Sequence, residues 1–140
     1  MSVASEETIN LAGKIYSVAE LLRELDDYVR LEAAEQCFAL TALINDPSAL
    51  VRSAVARKKV GHEILVKDVE WQVRATVAKY CNDVKFLDIL ALDSHEFVRF
   101  VVVKRGHALE LLAQDVDEEI AAIARYALQR QVILAEQPMQ

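Results

Sequence analysis

The chain has 140 residues, 54% of them hydrophobic, with only three Gly and two Pro. Such a composition favours continuous helix over a turn-rich β fold. The formal net charge of −6 argues against bulk binding to nucleic acid or to a membrane surface, and no apolar run reaches the ~20 residues that cross a bilayer. Two cysteines, Cys37 and Cys81, make neither a disulfide framework nor a metal-ligand cluster. Together with an N-terminus unlike a signal peptide, they predict a cytoplasmic protein without a cofactor.

The charge is unevenly distributed along the chain. Residues 48–107 carry 11 basic and 7 acidic side chains, whereas residues 1–47 carry 3 and 9, and residues 108–140 carry 2 and 6. A basic middle in an acidic chain favours a partner with an acidic surface. It is equally consistent with a homo-oligomer in which the acidic ends of one copy meet the basic middle of another.

In chain order, a capping box at Ser17-Val18-Ala19-Glu20 predicts an early helix, and an internal repeat follows. The repeat is marked by Val-Arg pairs spaced 22, 22 and 25 residues apart, with Ile120-Ala121 a further 22 residues on. An acid stands five residues before each apolar residue of these pairs. The pairs are Val29-Arg30, Val51-Arg52, Val73-Arg74 and Val98-Arg99, and the acids are Glu24, Asp46, Asp68, Asp93 and Asp115.

Each unit is predicted to form two short helices. The first begins near the Val-Arg pair and keeps apolar residues three and four positions further on, which is one helical face. The second is shorter, as in "HEILVK", "VKFLDILAL" and "HALELLAQ", and a longer helix closes the chain. Because neither helix buries its apolar stripe alone, neighbouring units must stack. We predict one domain over 1–140, with repeat units of approximately 20–45, 46–67, 68–92, 93–114 and 115–136.

The pattern Leu-Leu-x-x-Asp-x-x-x-x-Val-Arg-x-x-Val-Ala resembles HEAT-type helical repeats. The short period and the segments "VRSAVA" and "VRATVA" are most similar to the leucine-rich-repeat variant. The resemblance covers about residues 20–128 and implies an all-α, right-handed α-α superhelix, or solenoid, of about five short two-helix units. It also implies a ladder of acid–arginine contacts that holds the units together. The residues concerned are Asp46, Asp68 and Asp93 with Arg52, Arg74 and Arg99.

A second basic column lies six residues after three of the five apolar anchors, at Arg57, Lys79 and Lys104, with Lys58, Lys59 and Arg105 beside it; the first and fifth units have Glu35 and Tyr126 at this position. Cations at helix C-termini compensate the helix dipole, which is the structural interpretation of this column. The functional interpretation is a basic stripe that docks an acidic partner. Trp71 precedes its anchor and is either seam packing between units or an interface anchor. Phe38, Phe86 and Phe100 are assigned to the core.

No catalytic or metal-binding pattern is visible. His62, His95 and His107 occupy different repeat positions, and the sequence has no phosphate-binding loop or nucleophile elbow. We therefore predict a non-enzymatic protein–protein interaction module, such as a small adaptor, inhibitor or immunity-type protein. The alternatives are a HEAT-like nucleic-acid-binding solenoid that uses the basic stripe and, by analogy with HEAT-like phycobilin lyases, an enzyme. A direct nucleic-acid footprint usually needs more basic residues.

Overall fold

The protein is mostly helical. In the computed structural model, which describes residues 6–137, ten helices follow a two-stranded antiparallel sheet. The helical class is thereby confirmed, but the all-α prediction is wrong at the N-terminal hairpin. The ends of the predicted domain, residues 1–5 and 138–140, lie outside the described residues. The elements are β1 (Thr8–Leu11), β2 (Lys14–Ser17), α1 (Val18–Arg23), α2 (Asp27–Glu35), α3 (Leu40–Leu43), α4 (Ala49–Arg57), α5 (His62–Leu65), α6 (Trp71–Tyr80), α7 (Val84–Leu90), α8 (Glu96–Lys104), α9 (Leu109–Leu112) and α10 (Glu118–Glu136).

The hairpin forms because its two connecting residues adopt the left-handed backbone region. Ala12 and Gly13 have φ of 52° and 87°, and positive φ at both positions is what a two-residue type I′ turn requires. The side chain of Asn10 accepts a hydrogen bond from the Gly13 N–H at 3.0 Å. Leu11 and Tyr16 are buried, and the strands pack against α1 and α2. The hairpin therefore covers the N-terminal end of the helical core.

The longer helices follow one another in space as they do in the chain. α2 packs on α4, α4 on α6, α6 on α8 and α8 on α10, and each of the short helices α3, α5, α7 and α9 packs on the longer helix that follows it. The described residues thus contain four helix pairs, whereas the fifth unit is the single 19-residue helix α10. The prediction of a longer closing helix is confirmed, and the expectation of two helices in every unit is wrong for the last one.

The core is built from the repeat positions. The apolar anchors Val51, Val73, Val98 and Ile120 are at most 1% exposed, as are the leucines of the short helices, Leu43, Leu65, Leu90 and Leu112. Burying a side chain of this size contributes roughly 1.5–3 kcal/mol relative to leaving it exposed. The buried residues form one continuous cluster. Between residues 6 and 137, none of the helices is both long and apolar enough to span a lipid bilayer.

The third unit departs from the repeat in two ways. Its second helix, α7, has seven residues where α3, α5 and α9 have four, which accounts for the longer spacing between Val73 and Val98. The other longer helices before α10 end with a residue in the left-handed region, at Cys37, Lys59 and Gly106, in the turn known as a Schellman motif. Helix α6 instead ends at Cys81 in an extended conformation. Its last carbonyl groups therefore need another donor.

Candidate functional site

The ladder arginines each join two successive units. Arg52 donates from Nε and Nη2 to the carboxylate of Asp68, at 2.8 and 3.1 Å, and from Nη1 to the backbone carbonyl of Asp46 at 2.7 Å. Asp68 also accepts the backbone N–H of Glu70 at 2.9 Å. The planar guanidinium suits this bidentate contact better than a lysine would. Each arginine thus binds the carbonyl of its own unit's acid and the carboxylate of the next.

The same contact recurs along the described chain, and it includes two residues beyond those predicted. The Nε–Oδ2 distances are 2.7–2.8 Å for the pairs Arg30–Asp46, Arg52–Asp68, Arg74–Asp93 and Arg99–Asp115. Arg30 and Asp115 were missing from the predicted ladder, although Val29-Arg30 and the fifth acid were visible in the sequence. Hydrogen bonding to the next acid, opposed by burial, raises the pKa of all four arginines. The ladder cations therefore stay charged.

The ends of the ladder follow from this rule. Within the described residues 6–137 no ladder arginine binds the first acid, Glu24, and its carboxylate accepts hydrogen bonds from the Tyr16 hydroxyl at 3.1 Å and from the Asp26 N–H at 3.2 Å. The fifth unit has Ala121 in place of arginine, and this alanine is 1% exposed. At the other end of the ladder, the hydrogen bond from Tyr16 of β2 to Glu24 joins the N-terminal hairpin to the first unit.

A groove opens between α6 and α8, and we call it the basic groove. It has a volume of about 590 Å³. Four of the seven predicted partner-binding residues line it, together with two phenylalanines that the prediction did not include. The lining residues are Trp71, Gln72, Ala75, Thr76, Lys79, Phe97, Phe100, Val101, Lys104 and Arg105. Apolar residues dominate its floor and cations stand at one end.

The aromatic residues of the groove form one stacked cluster. Trp71 stacks on His95 with ring centroids 4.2 Å apart, and its edge meets Phe97 at 5.4 Å. Phe97 in turn stacks on Phe100 at 5.9 Å. Trp71 therefore packs at the seam between two units and also lines the groove. Phe97 is 45% exposed, and Phe100, which was assigned to the core, is only partly buried.

The two lysines of the basic groove differ from the ladder arginines in their surroundings. Both Lys79 and Lys104 are exposed. Within residues 6–137, no carboxylate lies within 4 Å of either ammonium group. Lys79 lies over the ring of Tyr80, 5.5 Å from its centroid. These cations stay accessible to an external anionic group.

Arg105 has a structural contact as well as a place in the groove wall. Its Nη1 donates to the backbone carbonyls of Ala78 at 3.0 Å and Cys81 at 2.6 Å. These belong to the end of α6, which lacks the left-handed turn that closes α2, α4 and α8. Arg105 thus caps a neighbouring helix, a structural contact that the sequence did not predict, and its partner-binding role stays a prediction.

The other three predicted cations do not line the groove. Arg57 lies 3.6 Å from the carboxylate of Glu35, which is on the preceding longer helix. Lys59 has a φ of 63° in the turn after α4, and its ammonium group donates to the Asn82 side chain at 3.4 Å. Lys58 is exposed. The predicted stripe is thus divided: Lys79 and Lys104 line the groove, whereas Arg57 and Lys59 have contacts of their own outside it.

His62, His107 and Cys81 are held by burial or by contacts within the chain. His62 is buried and donates from Nε2 to the Ala56 carbonyl at 2.8 Å, and His107 lies 2.6 Å from Asp88. Burial raises the pKa of the Cys81 thiol, which keeps it in the unreactive form. In the part of the chain that the structure describes, no group of three or more His, Cys, Asp or Glu side chains is placed to hold a metal ion.

Comparison of the chain with protein-family models, curated proteins and solved structures finds no match. The structure alone therefore defines the class: a mostly helical protein with an N-terminal hairpin, a repeated arginine–carboxylate contact and an aromatic groove with basic residues at one end.

Proposed function

We propose that this chain is a non-enzymatic protein–protein interaction module, of the small adaptor, inhibitor or immunity type, that acts in the cytoplasm. We further propose that its units form a right-handed α-α solenoid of HEAT-like repeats, closest to the leucine-rich-repeat variant. The regular order of the longer helices and the recurring ladder contact support this architecture. The fifth unit, with one helix and no ladder arginine, suits the end of such a stack.

The observation that carries the proposed function is the basic groove. An exposed aromatic surface beside unpaired lysines suits a partner that brings an apolar side chain and carboxylates. Tryptophan and other aromatic residues dominate the energetics of many interfaces, and charges at the rim accelerate encounter and select the partner. The proposed partner is therefore a protein with an acidic surface that places an apolar residue against Trp71 and Phe97.

Affinity capture from a lysate of the native host tests this proposal. The groove variant is K79E/K104E, and its matched control is K67E/R130E, which reverses two exposed cations elsewhere and changes the net charge equally. Arg57 is left unchanged because it has its own carboxylate contact. We expect the wild type and the control to retain the same protein and the groove variant to lose it, with melting temperatures that differ by no more than a few degrees. Equal retention by all three would refute the role of the groove.

The same experiment separates a protein partner from nucleic acid. Treating the lysate with nuclease leaves direct protein capture intact, whereas capture through nucleic acid disappears. Binding of random duplex and single strands, titrated with salt, provides the second check, because phosphate-driven affinity falls steeply with salt concentration. Salt-sensitive binding to these strands that K79E/K104E abolishes would favour the nucleic-acid interpretation of the basic residues.

A further inference from the structure

A second groove adjoins the basic one and has the opposite charge. It lies between α8 and α10, has a volume of about 280 Å³, and is called here the acidic groove. Its lining residues are Glu96, Phe97, Phe100, Asp117, Glu119 and Ile120. Phe97 and Phe100 line both grooves. The two phenylalanines therefore form an aromatic ridge with cations on one side and carboxylates on the other.

The charges of this face are ordered along the helices. On α8, Glu96 stands four residues before Phe100 and Lys104 stands four residues after it. At 1.5 Å per residue, the two charges lie about 12 Å apart along the axis, with the aromatic residue midway. Glu119 lies in the first turn of α10, and Lys79 lies in the last turn of α6. The face thus has an acidic rim at the helix N-termini and a basic rim at the C-termini.

Such an arrangement is self-complementary. A two-fold axis that lies in the plane of the face, perpendicular to α8 and beside Phe100, brings Glu96 of one molecule opposite Lys104 of the other, where the acidic and basic rims meet on α8. Helix α8 then meets its counterpart in an antiparallel sense, with the aromatic ridges in contact at the centre. A two-fold interface uses the same patch on both molecules, so a patch with opposite charges on either side of an apolar centre satisfies it.

We propose that a second copy of this chain docks on this face, so that the protein self-associates through the aromatic ridge and the two oppositely charged rims. Charge complementarity selects this occupant. Within residues 6–137, none of Glu96, Glu119, Lys79 and Lys104 lies within 4 Å of an opposite charge. A solely acidic partner matches the basic rim alone, whereas a second copy matches both. This inference does not rest on the proposed function, but the two share the basic groove and therefore compete.

Analytical ultracentrifugation of the purified chain over a wide range of concentration, at low and high salt, tests the inference. We expect a monomer–dimer equilibrium that weakens with salt. The variants E96K/E119K and K79E/K104E each place like charges opposite one another. We expect the dimer dissociation constant of each to rise by at least about tenfold. E96K/E119K brings the net charge closer to zero, which by itself promotes association, so its loss of dimer has to come from the lost pairing.

Two further samples show whether complementarity is the cause. An equimolar mixture of the two variants, one with lysines at all four rim positions and the other with glutamates at all four, is expected to form a heterodimer. The fourfold variant E96K/E119K/K79E/K104E exchanges the two rims and is expected to recover wild-type association. A wild type that stays monomeric at every concentration overturns the inference. So does an E96K/E119K variant that dimerises as well as the wild type.

The E96K/E119K variant also separates this inference from the proposed function. Its basic groove is intact, so capture of an acidic partner is expected to persist or to increase as the competing dimer is lost. Failure to dimerise with normal capture rejects only the inference. A dimer that responds to these variants as described, while lysate capture is the same for the wild type and K79E/K104E, rejects only the proposed function.

Discussion

Two sets of cations recur in the repeat, and their surroundings differ sharply. The ladder arginines, one residue after their apolar anchors, are nearly buried, and each binds a backbone carbonyl of its own unit and the carboxylate of the next unit's acid. Lys79 and Lys104, six residues after their anchors, are exposed at the ends of α6 and α8. The contrast shows that recurrence alone does not identify a binding residue. A recurring cation whose hydrogen bonds are satisfied within the chain is structural, and one without a partner is available for binding.

The largest expected effect on stability comes from breaking the most buried ladder pair. Arg30 and Asp46 have side chains that are 8% and 2% exposed, so D46A leaves a buried guanidinium without its carboxylate. We expect the free energy of unfolding, measured with urea, to fall by about 3–5 kcal/mol. The double variant R30M/D46L is expected to lose less than D46A because it leaves no uncompensated charge. E118Q, at the exposed Arg125 pair, serves as the control and should cost less than about 1 kcal/mol.

A smaller, pH-dependent effect is expected at the other end of the ladder. Burial raises the pKa of Asp115, but the hydrogen bonds from Arg99 and from the Asp117 N–H, with the charge of Arg99, outweigh it, and the pKa is lowered. Because the folded pKa lies below the unfolded value of about 3.9, the resulting stability is present above about pH 4. It is lost as the pH falls through the folded pKa.

The variant D115N measures this contribution. At neutral pH it is expected to reduce the free energy of unfolding by about 1.5–3 kcal/mol, as for a hydrogen bond to a charged group. The difference from the wild type should shrink as the pH falls below about 4. A difference that is the same at pH 7 and pH 3 would show that the carboxylate charge of Asp115 does not contribute to stability.

The smallest expected effects on the free energy of unfolding are those of two neighbouring residues at the end of α8, Lys104 and Arg105. Arg105 binds the carbonyls at the end of α6, and R105M is expected to cost about 1 kcal/mol, since water replaces part of this contact. K104M removes an exposed cation and should stay within about 0.5 kcal/mol of the wild type. Urea unfolding of both variants checks the comparison. Equal losses would mean that Arg105 does not act as a helix cap.

Much of the fold could be predicted from the sequence because the repeat was visible in it. The Val-Arg pairs and their acids identified the buried anchors, the ladder columns and the closing helix. The pairing between columns could not be predicted, since Arg52 is six residues from Asp46 and sixteen from Asp68. Spacing alone does not say which of the two acids accepts through its carboxylate and which through its carbonyl group.

The parts that were missed depend on short or distant contacts. The hairpin strands have four residues each, too few for a clear alternation, although Gly13 and the alternation of Ile9 and Leu11 were a weak signal. The cap formed by Arg105 joins residues 24 and 27 positions apart, and it arises because α6 lacks a left-handed turn. Predicting the groove would have required knowing that Phe97 and Phe100 are not fully buried. A helical apolar pattern does not distinguish such residues from core residues.

The most direct test of the contrast between the two sets compares a ladder arginine, Arg74 of α6, with the lysines of the basic groove, Lys79 of α6 and Lys104 of α8. The urea unfolding free energy of R74M is predicted to fall by about 3 kcal/mol, because Asp93 loses its buried partner. That of K79E/K104E is predicted to fall by no more than about 1 kcal/mol, the cost of reversing two exposed charges at helix C-termini. A loss of stability in K79E/K104E as large as that in R74M would contradict the account, since the lysines would then hold the structure together as the arginines do.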